Sequence, residues 1–177
     1  NLEKIKENEI AKWLQIIDAY TNQYPKYAIV NYLYVNNLKI DEGFIEFLKS
    51  ITRYVYYQGS TTTVKFEIYN IIKQTSFNLP VDKYLKLDIP STYFNYLGRL
   101  KKGFALLAYY LKTESSLSTY SVDKIITLKD KKFLSEDWVN VYLQDVIDSL
   151  GNYLILDIPK RDLTINKKSE YFSKSNI

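Results

Sequence analysis

The chain has 177 residues, with 24 basic and 20 acidic side chains for a formal charge of +4, and it contains neither cysteine nor histidine. That length can bury one fair-sized core or two small ones. The missing residue types exclude disulfides, thiolate catalysis, zinc-knuckle sites and an imidazole base, so any metal must be held by oxygen ligands, which leaves Mg2+ or Mn2+.

Leu2, Ile5, Ile10, Trp13, Leu14, Ile17 and Tyr20 recur at helical spacing and predict an amphipathic helix over residues 2–20. Pro25 is expected to punctuate the chain, and the apolar stretch 27–34 reads as helix from its context. Phe44, Phe47, Leu48, Ile51, Tyr54 and Val55 predict a helix over 43–57, with Gly59 as its stop. A further helix is expected over 61–74, although Thr61, Thr62, Thr63 and Val64 are β-branched. Pro80, Asp88 and Pro90 mark 78–92 as a connector. Leu97, Leu100, Phe104, Leu107, Ala108 and Leu111 then predict a core helix from Tyr93 to Leu111.

The polar break at 113–119 is the expected boundary, giving a helical region 1–115 and a terminal module 116–177. Beyond it, 120–127 reads as a strand, 135–149 as a helix carrying Trp138, Val141, Leu143 and Ile147, 152–157 as a second strand, and 165–174 as a basic helix. There is no internal repeat and no low-complexity tract. No run approaches the roughly 18 apolar residues of a membrane span, and none suggests a signal peptide, so the expected compartment is the cytoplasm. The first residue is Asn, and the chain enters a helical pattern at once, which reads as a fragment of a longer protein.

The mild positive charge permits a nucleic-acid partner, and Lys160, Arg161, Lys167, Lys168 and Lys174 cluster near the end. Eighteen tyrosines offer stacking groups, but their company of Lys, Asn and Ile is better read as the mark of an AT-rich genome. Three segments carry the chemistry. These are Tyr120-Ser121-Val122-Asp123-Lys124-Ile125, Ile147-Asp148-Ser149-Leu150-Gly151-Asn152, and a tail with Lys167-Lys168, Tyr171-Phe172 and Ser175.

Together with the lysine-led apolar helix Lys101 to Leu111, these segments resemble the C-terminal half of GmrSD-like proteins, bacterial modification-dependent restriction and phage-defence systems. The resemblance covers about residues 40–177 and is most specific from Ile147 to Leu156 and in the tail. It implies a mainly α fold, a helical bundle followed by a small α+β ββα-metal (HNH-like) module, and a preceding ParB-like nucleotide-hydrolysing domain. It also implies DNA as partner and a metal-dependent endonuclease site. A homo-oligomer is compatible with it, and no membrane partner is implied.

By this resemblance Asp123 and either Asp162 or Asn166 would hold Mg2+ or Mn2+, Asn152 would ligate the ion or fix the hairpin, and residue 124 would be the base. Lys160, Arg161, Lys167, Lys168 and Lys174 would contact DNA. Lys124 stands at the expected histidine position. A protonated lysine cannot serve as base unless burial lowers its pKa by several units, though it can take the metal's charge and bind phosphate itself. The expectation is therefore a degenerate endonuclease that binds DNA or supports a partner.

Plainer readings stand beside these. Asp123 and Lys124 can be an exposed pair at a strand end, Gly151-Asn152 a helix stop, the terminal lysines a solvated face, and Trp138 with Tyr109 and Tyr110 ordinary packing. On those readings the chain is a structural helical domain for protein–protein interaction.

Overall fold

The computed structural model describes residues 2–57, 61–74, 77, 79, 100–113, 116–156 and 163–174. It is mainly helical with one small antiparallel sheet. The chain forms two compact units, residues 1–100 and 101–177.

The first unit is built from α1 (Leu2–Asp18), α2 (Tyr24–Val35), α3 (Glu42–Tyr57) and α4 (Thr61–Gln74). Helix α3 packs on α1 and α2, and α2 also packs on α4. The apolar periodicity explains this arrangement, because Leu48, Ile51 and Val55 recur on one face of α3 and are fully buried with Ile16, Ile17, Val64 and Ile68. Pro25 marks the start of a new helix after the turn that follows α1. It sits in the first turn of α2, where its missing N–H has no intrahelical partner to lose. Helix α2 ends in a Schellman arrangement, in which Leu38 N–H donates to Leu33 O at 2.7 Å and Asn37 N–H to Tyr34 O at 3.3 Å. Asn37 and Leu38 take φ of 53° and 58°, a left-handed region that suits Asn but strains Leu. Asp41 starts α3 by accepting the Phe44 N–H at 3.1 Å.

The second unit contains α5 (Lys101–Tyr110), β1 (Ser121–Lys124), a 3-10 segment (Leu128–Phe133), α6 (Glu136–Asp148), a 3-10 turn (Leu150–Asn152), β2 (Tyr153–Leu156) and α7 (Ile165–Lys174). The division falls between 100 and 101, not at the polar break near 115. The reason is packing. Helix α5, with Leu106 fully buried, lies on β1, β2 and the turn at 150–152. Of the core helix expected over 93–111, residues 93–99 lie outside the described residues, and α5 covers the remainder to Tyr110. The first strand is shorter than expected because the chain bends at Ile125 and Ile126, and Thr127 opens the 3-10 segment.

Strands β1 and β2 pair antiparallel, with Ser121 opposite Leu156, Val122 opposite Ile155, Asp123 opposite Leu154 and Lys124 opposite Tyr153. Side chains alternate between the two faces of such a ribbon. Ser121, Asp123, Leu154 and Leu156 therefore share the buried face, while Val122, Lys124, Tyr153 and Ile155 share the other.

Candidate functional site in the second unit

The site forms where the end of β1, the 3-10 segment and the start of α7 meet. Asn152 is its pivot. The side chain is only 3% exposed, accepts the Ile126 N–H at 2.7 Å and donates to Ile126 O at 2.8 Å and to Ile147 O at 3.4 Å. Its own carbonyl accepts the Ile125 N–H at 2.8 Å. Both ends of the amide are committed to the main chain, so Asn152 ties the bend after β1 to the end of α6. Of the two roles expected for it, the geometry is that of fixing the hairpin. Its amide oxygen and nitrogen are engaged by the main chain of Ile126 and Ile147.

The bend continues into Thr127, whose N–H and hydroxyl both donate to Asp130 Oδ2 at 2.8 Å. Asp130 N–H returns to Thr127 O at 3.0 Å. This local Thr-x-x-Asp closure buries Asp130 and presents Lys129, Lys131 and Lys132 on an exposed turn.

Asp123 faces α7. Its Oδ2 lies 3.1 Å from Lys168 Nζ, in an ion pair whose lysine side chain is 5% exposed and whose carboxylate is 23% exposed. The same ammonium donates to Lys124 O at 2.5 Å. Lys168 is thus a buried partner of β1, where the tail lysines were expected to face phosphate. Helical spacing is the cause, since Ile165 and Lys168 fall on the inner side of α7 while Asn166 and Lys167 are exposed. Lys124 projects on the opposite ribbon face from Asp123, with its ammonium 5.8 Å from the centre of the Tyr153 ring.

An open groove of about 860 Å3 runs along these groups, lined among others by Asp123, Lys124, Lys129, Lys132, Phe133 and Lys168. A second groove of about 510 Å3 adjoins the 3-10 segment and the start of α6, with Lys129, Lys131, Lys132 and Glu136 in its wall. Lys129, Lys131 and Lys132 were not picked out by the sequence reading. The signal was present, because a Thr-x-x-Asp closure next to three lysines between two strands marks an exposed basic turn.

Of the other expected site residues, Lys160, Arg161 and Asp162 lie outside the described residues, Asn166 is exposed on α7, and Lys174 closes that helix. Among the described residues no three carboxylate, histidine or cysteine side chains gather in one place. The described donors do not fit a divalent ion. Asp123 is already held by an ammonium, and both ends of the Asn152 amide are used by the main chain. No helix among the described residues is long and apolar enough to cross a membrane.

No protein-family model, no curated protein and no solved structure matches this chain.

Proposed function

We propose that the second unit is a degenerate ββα module of the GmrSD-like kind that holds the DNA backbone in its basic groove without cutting it. The order β1, β2, α7 is the order such a module requires, and the carrying observation is the lysine-rich groove beside a carboxylate already neutralised by Lys168. The groove's lining includes Lys124, Lys129, Lys132 and Lys168 against the carboxylates of Asp123 and Asp130, an excess of positive charge. Phosphate contacts of this kind carry affinity and are weakened by salt.

Fluorescence anisotropy with a labelled duplex tests the reading. Three phosphate contacts weaken binding about 40-fold between 50 and 200 mM salt. The double variant Lys129→Glu with Lys132→Glu is expected to abolish retention, while Lys131→Glu gives a smaller loss. Unchanged binding by the double variant removes the groove as the contact surface.

A second reading is favoured by α2, where Tyr27, Val30 and Tyr34 are more than half exposed at helical spacing. It makes the chain a protein-interaction domain that ignores DNA at any salt concentration.

A further inference from the structure

We infer that the Lys168 ammonium is the resident cation of the site between β1 and α7, and that it excludes a divalent metal ion from the Asp123 carboxylate. Burying an ammonium is costly unless it is paired and hydrogen-bonded, so a lysine that is 5% exposed must be held by specific acceptors. Among the described residues two acceptors hold it, Asp123 Oδ2 at 3.1 Å and Lys124 O at 2.5 Å. A carboxylate and a main-chain carbonyl are the hard oxygen donors that Mg2+ or Mn2+ also selects. The ammonium therefore sits among the oxygens an ion would use, and a dication at Asp123 would have to displace it.

The ammonium also performs the structural task of an ion. It joins a strand residue to a helix residue 44 positions away from Lys124, closing the ribbon against α7 with no ligand to acquire. This inference stands whether or not the ligand is DNA, because it concerns only the cation at Asp123.

Mn2+ titration followed by the electron paramagnetic resonance signal of free Mn2+, on the full chain at neutral pH, tests it. The parent is expected to leave millimolar Mn2+ free. Lys168→Asp removes the ammonium and adds a carboxylate facing Asp123, and is expected to bind Mn2+ at least tenfold more tightly. That gain is expected to vanish when Asp123→Asn is added. Lys168→Met, which removes the cation and adds no ligand, is expected to give a weaker gain that still depends on Asp123. Should Lys168→Asp fail to fold by circular dichroism, Lys168→Met carries the test. Parent Mn2+ binding that is lost on Asp123→Asn overturns the inference, as does equal Mn2+ affinity in the parent and the folded Lys168 variants.

Discussion

The two units solve the burial problem differently. In the first, side chains such as Ile16, Ile17, Leu48, Ile51, Val55 and Ile68 are 1% exposed or less, and hydrogen bonds such as Tyr56 OH to Ile16 O at 2.7 Å only trim an apolar core. In the second, the apolar core among the described residues is smaller, with Leu106, Tyr110, Leu143, Ile147, Leu154 and Leu156, and Lys101, Ser121, Asp130, Asn152 and Lys168 are buried beside it. Thr52 is the sole buried polar residue of the first unit among those described. A core of hydrocarbon tolerates imperfect geometry at modest cost, whereas a core containing ions and amides depends on partners, which Asp130, Asn152 and Lys168 have and the Ser121 hydroxyl lacks among the described residues. The unit with the candidate site is the one whose shape depends on a few polar contacts.

One tryptophan lies in each unit, Trp13 in α1 and Trp138 in α6, so the comparison can be broken one side at a time by denaturant unfolding of single-tryptophan variants. The largest expected effect is Leu48→Ala, which leaves a cavity in the first core and lowers the stability read by Trp13 by about 4 kcal/mol. A larger loss read by Trp138 would contradict the division into two units. Next comes Asn152→Ala. It strips partners from both polar groups of Ile126 and is expected to lower the stability read by Trp138 by about 3 kcal/mol. A loss below 1 kcal/mol would show that the amide is not the tie described here.

Smaller effects sharpen the same contrast on the surface of the first unit. Leu38→Gly relieves a left-handed residue that is 72% exposed, and is expected to raise stability by about 1 kcal/mol, seen as a higher denaturation midpoint. The smallest effect concerns pH. Asp41 is held below its ordinary value of 3.8, first by the hydrogen bond with Lys39 and then by the Phe44 N–H. A depressed carboxylate contributes stability that is present above 3.8 and is lost as the pH falls through its lower folded value. Asp41→Asn keeps the cap acceptor and removes the charge. It is expected to be less stable than the parent at neutral pH, and the gap should close in acid below 3.8. A gap that persists there would assign the effect to the cap and not to the charge.

Much of the first unit was legible in the sequence because its signals are local. All six apolar positions read on α3, Phe44, Phe47, Leu48, Ile51, Tyr54 and Val55, are buried, with Ile45, Thr52 and Tyr56 buried beside them. Pro25 falls, as its punctuating role requires, where one helix has ended and the next begins, in the first turn of α2. At the candidate site, Asp123, Lys124 and Asn152 drew attention through a resemblance, but the adjacent lysines 167 and 168 gave no hint of which would be buried. The turn lysines 129, 131 and 132 carry a local signal, the Thr127-x-x-Asp130 closure beside them, that the apolar periodicity does not register.

By itself, the sequence determined that this protein is mainly helical, that its late segment carries two short strands, and that it brings no imidazole or thiolate to any chemistry. Periodicity, caps and composition are properties of neighbouring residues, and folding does not revise them. Tertiary structure alone decided that α5 belongs with the sheet, that Asn152 holds a main chain 26 positions away, and that Lys168 crosses 44 positions to meet β1. These pairings arise because a buried amide or ammonium must find its partner wherever the packed chain brings one, and sequence distance places no limit on that search.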